Sequence, residues 1–276
     1  MTLQSVSLVI AGSGGAGVVT AGSLLLDAAA KAGWYALMSR SSGPQIRGGE
    51  AAAMLRFSTE PVLSHDDSFH ILVGVDWENI SRFAAEIPLT QSSLVVGDPA
   101  QGAVPVALCM ANPRTANLPM AEIAGRIENG RANMVALGAI AGMIGLPPQA
   151  MQAVVEDKLG RKGRSAVEAS MAAFFAGIEA ARDLPRVAEL PAASVVTDKR
   201  WSITGNEATG LGVIRGGVRF VAAYPITPAT EVLEWLAPSL AKVGGMLVQA
   251  EDELASINQI IGASYGGVPA MTATSG

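Results

Sequence analysis

Cysteine, histidine and aromatic residues are scarce in this chain of 276 residues, and their scarcity excludes several kinds of site. The one cysteine, Cys109, cannot form a disulfide within the chain and cannot by itself hold an iron–sulfur cluster. The two histidines, His65 and His70, have no third ligand in view. We interpret them as ordinary loop and strand-edge residues and expect no metal site.

Charge is also limited, because only 16% of the residues are charged and no long basic run occurs. The formal net charge of −5 makes nucleic acid a poor candidate partner. Residues 1–26 carry no charge but contain the glycine run 12–17, and Pro147 and Pro148 interrupt the apolar stretch 132–155. Neither stretch suits a membrane span. Since half of the residues are apolar, we expect a folded, cytoplasmic protein with no membrane partner.

The order of the predicted strands and helices indicates an α/β fold. An apolar strand over residues 3–10 precedes a glycine loop, a helix over 18–32 and a second strand over 34–38. Such a unit predicts a Rossmann-like domain with a parallel sheet. Further strands are predicted at residues 51–57, 71–75, 94–96 and 104–108.

Two of these predicted strands are followed by acidic residues, Asp76 and Asp98, and Pro99 comes directly after the second. Strand ends closed by Asp and Pro are typical of the ligand-facing edge of open α/β sheets.

The domain organisation follows from a change of pattern along the chain. We predict a first domain over residues 1–183, a linker over 184–200 and a second α/β domain over 201–276. A sheet of about three strands is small for an independent domain, so we expect the second domain to be incomplete. Helices are predicted at 133–144, 148–159, 165–182, 205–215, 229–240 and 252–265, and strands at 219–223, 246–249 and 268–274.

Gly12, Gly14 and Gly17 match the pattern G-x-G-x-x-G between a strand and a helix. Glycines permit the tight turn, and amides at a helix N-terminus face an anion, so a phosphate-bearing ligand is expected. A dinucleotide site also needs an acidic residue about 20 positions on, where this chain has Arg40. Because arginine suits a 2′-phosphate, an NADP-binding Rossmann-type oxidoreductase is one alternative. A tight turn without a ligand is another.

A second glycine-rich segment, residues 43–50, carries Arg47. The forked donors of an arginine on such a loop suit a phosphate or a carboxylate. A solvated turn residue is the alternative interpretation.

Taken together, these segments resemble the 2-oxoacid:ferredoxin oxidoreductases. Residues 12–17, 43–50 and 133–138 are similar to the gamma domain of that family. Three further segments resemble the pyrimidine-binding domain of its alpha subunit: residues 205–208, 224–230 and 249–253. A gamma domain fused ahead of an alpha domain is most similar to the 2-oxoglutarate type.

The resemblance implies oxidative decarboxylation of a 2-oxoacid onto coenzyme A, with electrons leaving through thiamine diphosphate and an iron–sulfur cluster to ferredoxin. It implies a beta subunit that holds the cofactor's diphosphate, Mg²⁺ and a [4Fe–4S] cluster. The remainder of the alpha subunit is a further expected partner, and this chain alone is expected to be catalytically silent. A non-catalytic scaffold subunit is the alternative.

The resemblance assigns Glu251 to the cofactor and Thr227 to the substrate. Glu251 would hydrogen-bond a ring nitrogen of the cofactor's pyrimidine, which requires a buried carboxylate with a shifted pKa. Thr227 would contact the substrate carboxylate. The alternatives are a helix N-terminal acid for Glu251 and a helix N-cap for Thr227.

For the first domain, the resemblance implies that Gly12, Gly14, Gly17 and Arg47 contact the phosphates of coenzyme A or a subunit interface. These four residues complete the set of expected site residues.

Overall fold

The computed structural model describes residues 4–42, 49–78, 80–82, 84–187, 189–193 and 200–275. It divides the chain into two compact units, unit 1 (Met1–Lys199) and unit 2 (Arg200–Gly276). Among the described helices, none combines the length and the apolar character needed to cross a membrane.

Unit 1 is built on a six-stranded sheet with the order β2-β3-β1-β4-β5-β6. Strands β1, β4, β5 and β6 are parallel, whereas β3 is antiparallel to both of its neighbours, β1 and β2. The strands are β1 (Ser5–Ser13), β2 (Tyr35–Ser42), β3 (Glu50–Ser58), β4 (Ile71–Gly74), β5 (Leu94–Gly97) and β6 (Arg114–Asn117).

The expected β–α–β unit is therefore altered, because β3 lies between the two strands that the glycine loop and its helix connect. Between Ser42 and Glu50 the chain has too few residues for a parallel crossover, which needs a dozen or more. Strands β2 and β3 consequently pair as an antiparallel hairpin, and the sheet is mixed rather than wholly parallel.

The helices of unit 1 cover the sheet unequally. The larger apolar core contains residues of α1, α3, α4, α5 and α6, and a smaller core lies on the opposite face, under the irregular segments between β4 and β6. The helices are α1 (Val18–Lys31), α2 (Val106–Cys109), α3 (Met120–Gly125), α4 (Ala132–Ile144), α5 (Pro148–Leu159) and α6 (Arg164–Ala180).

One predicted strand is wrong. Val104 and Pro105 have no regular secondary structure, α2 begins at Val106, and the last strand of the sheet is β6 instead. Pro105 has no N–H to donate to a sheet ladder, which disfavours a strand there. The β6 sequence is polar and mostly exposed, so it lacks the alternation of apolar and polar residues that predicts a strand.

Helices α4 and α6 approach each other through glycine. A Cβ at Gly138 would overlap the backbone carbonyl of Phe174, and a Cβ at Gly177 would overlap that of Val135. The two backbones are therefore in direct contact, which only a residue without a side chain allows. This contact explains why α4 is buried on nearly all sides.

Part of the predicted linker belongs to unit 1. Leu184 and Leu190 are buried in the larger core, and the amide of Leu190 donates to the carbonyl of Ile144 at 3.0 Å. The indole N–H of Trp34 donates to the carbonyl of Pro191 at 3.1 Å. Residues 194–199 of the predicted linker lie outside the described residues.

Unit 2 is a three-stranded parallel sheet with the order β8-β7-β9. Helices α7 and α8 share an apolar core with β7, and α9 packs against β7 and β9. Because β8 and β9 lie on opposite sides of β7, right-handed crossovers place α8 and α9 on opposite faces of the sheet. The elements are α7 (Gly205–Arg215), β7 (Phe220–Ala223), α8 (Thr230–Ala241), β8 (Met246–Gln249), α9 (Glu253–Tyr265) and β9 (Ala270–Met271).

Candidate functional site

The glycine loop of unit 1 connects the end of β1 to the start of α1. Gly17 has a left-handed backbone with φ of 80°, and a Cβ there would overlap the side-chain amide of Asn133. That amide lies 3.4 Å from the Gly17 carbonyl oxygen, to which it donates. Gly17 is therefore required both by its conformation and by the close approach of α4.

Asp76, which lies two residues after β4, forms hydrogen bonds with the first part of this loop. Its Oδ2 accepts from the Ser13 amide at 3.0 Å and from the Ser13 hydroxyl at 2.8 Å, and its Oδ1 accepts from the Glu78 amide at 3.1 Å. A Cβ at Gly12 would lie 3.3 Å from Oδ2. The Asp76 carboxylate thus holds the backbone of the loop.

Asp98, at the end of β5, also holds backbone. It is 1% exposed, and it accepts from the Ala100 amide at 2.9 Å and from the Ala121 amide at 2.6 Å. A buried carboxylate needs such donors to offset its desolvation. Asp98 therefore links the turn after β5 to the first turn of α3.

Three amides of the glycine loop are already paired. The Ser13 amide bonds Asp76, the Gly14 amide donates to the carbonyl of Gly49, and the Ala16 amide donates to the carbonyl of Ser13 at 3.1 Å. An anion at this loop would have to use other amides, and the Asp76 carboxylate adds negative charge at the loop's beginning. The loop is thus braced by hydrogen bonds within the chain.

Arg47 lies outside the described residues. The strand before its segment, β2, ends at Ser42, and the strand after it, β3, begins at Glu50. Glu50 pairs with Ser13, so β3 begins next to the glycine loop. The backbone on both sides of the segment therefore ends at the sheet edge that carries Gly12 and Gly14.

The NADP alternative loses its geometric basis. In a dinucleotide-binding fold, the residue that recognises the ribose follows a strand adjacent to the one before the glycine loop. Here β3 separates β1 from β2, and Arg40 lies within β2, paired with Ala53.

In unit 2, residues 224–229 form a turn between β7 and α8, which we name the Thr227 turn. Helix α8 begins at Thr230, and its N-cap is Ala229, so the N-cap interpretation of Thr227 is wrong. The Thr227–Pro228 peptide bond is cis. Thr227 is exposed, and its hydroxyl forms no hydrogen bond with any described residue. Its carbonyl accepts from the Ser275 hydroxyl at 2.8 Å.

Glu251 lies at the same edge of this sheet. The Ala250 amide donates to the Ala223 carbonyl at 3.0 Å, which extends the pairing of β7 and β8 up to Glu251. Glu251 is exposed and forms neither a hydrogen bond nor an ion pair within the described part of the chain. Asp252 caps α9 instead, because its Oδ1 accepts from the Ala255 amide at 2.6 Å. The expected burial of Glu251 is therefore not provided by this chain.

Helix α9, which follows Glu251, turns its large apolar residues outward. Small residues such as Ala255 and Ser256 are partly or fully covered, whereas Leu254 is 73% exposed and Tyr265 is 92% exposed. With Ile257 and Ile261 they form one helical face, which we name the α9 stripe.

Both units match models of one protein family. A model described as "Pyruvate ferredoxin/flavodoxin oxidoreductase" matches residues 7–180, and one described as "Pyruvate flavodoxin/ferredoxin oxidoreductase, thiamine diP-bdg" matches residues 211–276. The chain belongs to the pyruvate ferredoxin/flavodoxin oxidoreductase family.

Curated relatives match this chain over only part of their own length. The 2-oxoglutarate synthase subunit KorA of Methanocaldococcus jannaschii is 58% identical over 72 residues, 26% of this chain and 20% of that protein. The 2-oxoacid:ferredoxin oxidoreductase subunit alpha of Sulfolobus sp is 28% identical over 98% of this chain and 50% of its own length. The chain thus spans half or less of these relatives.

Solved structures give the same assignment. A 2-oxoglutarate:ferredoxin oxidoreductase from Magnetococcus marinus, with 2-oxoglutarate, coenzyme A and succinyl-CoA bound, matches with a TM-score of 0.85 and 35% identity. The match covers 99% of the present chain and 48% of the chain in the Magnetococcus marinus structure. A separate gamma subunit of a keto/oxoacid ferredoxin oxidoreductase from Geobacter sulfurreducens PCA matches with a TM-score of 0.52 and 27% identity. It covers 65% of this chain and 98% of its own.

The oxidoreductase family implies thiamine diphosphate, and unit 2 fits one part of that cofactor. Glu251 offers a carboxylate without a partner among the described residues, at the carboxyl edge of a parallel sheet, where such sheets bind ligands. Among the described residues, no cluster of three His, Cys, Asp or Glu side chains is placed to hold a metal ion. The exposed Glu251 carboxylate therefore fits a hydrogen-bonding contact to that cofactor.

Proposed function

We propose that this chain is the N-terminal part of the alpha subunit of a thiamine-diphosphate-dependent 2-oxoacid:ferredoxin oxidoreductase, with unit 1 as its gamma-type domain. The reaction decarboxylates a 2-oxoacid, forms an acyl-coenzyme A and passes electrons to ferredoxin. The match of residues 211–276 to a thiamine-diphosphate-binding model supports the cofactor.

The placement of Glu251 carries this proposal. Its carboxylate and the Thr227 hydroxyl both lie at the carboxyl edge of the unit 2 sheet, and neither is engaged by a described residue. The carboxyl group of Glu251 can share a proton with a cofactor ring nitrogen, and the Thr227 hydroxyl can donate to a substrate carboxylate. A site that binds both cofactor and substrate requires one group for each, and the Glu251 carboxylate and the Thr227 hydroxyl are two such groups at one edge of the sheet.

Thiamine diphosphate, when bound, supplies the electron sink that lets the 2-oxoacid lose carbon dioxide. Glu251 holds a proton against the pyrimidine ring nitrogen, and Thr227 orients the carboxylate that departs. For Glu251 to do this, water has to be excluded from its carboxylate, since a carboxylate in water stays ionised at neutral pH.

The water-excluding surface comes from a partner. Glu251 is exposed in this chain, and the α9 stripe that begins three residues later is a contiguous apolar face of the kind that marks protein interfaces. We assign this cover to a beta subunit that also binds the diphosphate, Mg²⁺ and a [4Fe–4S] cluster. The one cysteine of this chain accords with a cluster held elsewhere.

The 2-oxoacid is 2-oxoglutarate in this proposal, because relatives are named 2-oxoglutarate synthase subunits and a solved relative contains 2-oxoglutarate. Coenzyme A is the acyl acceptor, with Gly12, Gly14, Gly17 and Arg47 as proposed contacts to its phosphates or to the subunit interface. The bracing of the loop by Asp76 favours the interface for Gly12 and Gly14. We place the enzyme in the cytoplasm.

The test is Glu251→Ala in the assembled enzyme that contains this chain. Turnover of 2-oxoglutarate with coenzyme A and a viologen acceptor should fall at least about a hundredfold, the range for loss of a proton-transfer group. Subunit assembly should be intact. Glu253→Ala is the matched control, because Glu253 is an exposed acid two positions on, and its turnover should stay near wild type. Normal turnover in Glu251→Ala would contradict the proposal.

A further inference from the structure

Ser275 contacts the Thr227 turn from a neighbouring strand. Its hydroxyl donates to the Thr227 carbonyl at 2.8 Å, across 48 positions of sequence. Strand β9 brings it there, since Met271 pairs with Val221 and the chain then continues beside the exit of β7. The two ends of this hydrogen bond therefore emerge from adjacent parallel strands.

The carbonyl that Ser275 contacts controls how Thr227 is held. Pro228 has no N–H, so the carbonyl oxygen is the one polar group of the peptide bond that follows Thr227. A hydrogen bond to it fixes the plane of that peptide, and the plane sets the direction in which the Thr227 side chain leaves the backbone. The Thr227 hydroxyl itself has no partner among the described residues. Its direction therefore depends on the backbone that carries it.

The other end of the turn is tied as well. The Thr230 amide donates to the Ile226 carbonyl at 3.0 Å, and the Asn206 side chain donates to Glu231 at 2.6 Å, which joins α7 to the first turn of α8. These bonds hold the start of α8. The hydroxyl of Ser275, by contrast, donates to the carbonyl of Thr227 itself. Ser275 is therefore placed to affect the orientation of Thr227 without holding the start of α8.

We propose that Ser275 is a positioning residue for substrate binding, which orients the Thr227 hydroxyl toward the 2-oxoacid carboxylate by bonding the Thr227 carbonyl. This inference rests on the proposed function. It predicts an effect on the KM for the 2-oxoacid that greatly exceeds any effect on kcat, because Ser275 itself touches neither the cofactor nor the reacting carbon.

The first experiment measures steady-state kinetics of the assembled enzyme with 2-oxoglutarate as the varied substrate. Ser275→Ala should raise the KM roughly threefold to tenfold, the span for one lost hydrogen bond, with kcat changed less than about twofold. Ser275→Thr keeps the hydroxyl and should restore the KM. Thr209→Ala is the matched control, because the Thr209 hydroxyl donates to a carbonyl of α7 at 2.8 Å and lies outside the turn.

The second experiment is a double-mutant cycle with Thr227→Val. If Ser275 acts through the Thr227 hydroxyl, Ser275→Ala should add no further increase in KM once that hydroxyl is gone. Fully additive increases would overturn the proposal. If Ser275→Ala fails to assemble, the same cycle is run with Ser275→Gly, and the same two outcomes decide.

The remaining outcomes separate this inference from the function on which it rests. A normal KM in Ser275→Ala, an equal rise in Ser275→Thr, or an equal rise in Thr209→Ala each overturns the positioning role and leaves the oxidoreductase assignment in place. Absence of 2-oxoacid-dependent turnover in the wild-type assembly overturns both.

Discussion

The carboxylate of Asp76 accepts hydrogen bonds from both the backbone amide and the hydroxyl of Ser13, at 3.0 and 2.8 Å. In a nucleotide-binding glycine loop, backbone amides at this place face the phosphates of the ligand. Here the Asp76 carboxylate takes the place of a phosphate at the beginning of the loop, because it accepts from the Ser13 amide. The G-x-G-x-x-G pattern in unit 1 is therefore at least partly a structural clamp between β1 and β4.

Replacing Asp76 should loosen this clamp. Asp76→Ala removes the acceptor of three hydrogen bonds, and we expect a loss of roughly 1–3 kcal/mol in the free energy of unfolding. Urea unfolding followed by circular dichroism measures the change. Glu78→Ala is the control, because Glu78 takes part through its backbone amide alone. Equal stability of Asp76→Ala and wild type would show that the clamp contributes nothing.

The contact of α4 with α6 should tolerate no side chain at Gly138. Gly138→Ala places a methyl group against the Phe174 carbonyl, so the helices have to separate, at a cost of roughly 1–3 kcal/mol in the free energy of unfolding. Gly125→Ala, in α3, is the matched control, because its Cβ meets open space, and a helical alanine there should be neutral or stabilising. The prediction is wrong if both variants have the same unfolding midpoint.

The α9 stripe should hold the partner subunit. Ile261→Asp places a charge in the middle of the stripe, and we expect the affinity for the partner to fall roughly tenfold or more. Because Ile261 is 49% exposed in this chain, the fold of unit 2 should survive. Association is measured by analytical ultracentrifugation of the mixed subunits. Gln259→Asp, exposed on the same helix but off the stripe, is the control, and similar weakening by both would refute a specific interface.

The stability of unit 1 should depend on pH through His65. Burial lowers the pKa of the His65 imidazole below 6.5, the nearby Arg56 lowers it further, and Asp66 opposes both. Arg56 and Asp66 form an ion pair at 2.9 Å, and both ring nitrogens of His65 are buried without a hydrogen-bond partner among the residues that the structure describes. The folded chain therefore favours the neutral imidazole more than the unfolded chain does.

The sign of the effect follows from proton binding. Below pH 6.5 the unfolded chain takes up a proton at His65 more readily than the folded chain, so this contribution to stability is complete above pH 6.5 and is lost as the pH falls toward the folded pKa. One proton gives at most about 1.4 kcal/mol per pH unit. His65→Gln should flatten the decline in urea-unfolding free energy between pH 7 and pH 5.5. An identical slope in both proteins would contradict the assignment.

Several elements were predictable because their signals are local. The predicted bounds of α5, α7 and β8 agree with the structure, since Pro148 marks a helix start, Thr204 with Glu207 forms a capping box, and residues 246–249 are a short apolar run. The order of strands in unit 1 was not predictable to the same degree. Strand β3 takes its place between β1 and β2 through pairing with both, and the polar β6 carries no apolar pattern.

By itself, the amino-acid sequence determined the α/β class, most helix bounds and the motifs that place Glu251 and Thr227 at strand ends. Only the tertiary structure decided that Asp76 turns onto Ser13, that Ser275 reaches the Thr227 carbonyl and that Glu251 is exposed in this chain. The physical reason is range. Periodicity and capping act over a few residues, whereas these relationships join residues 48 or 63 positions apart, or depend on which surfaces remain uncovered after the strands have paired.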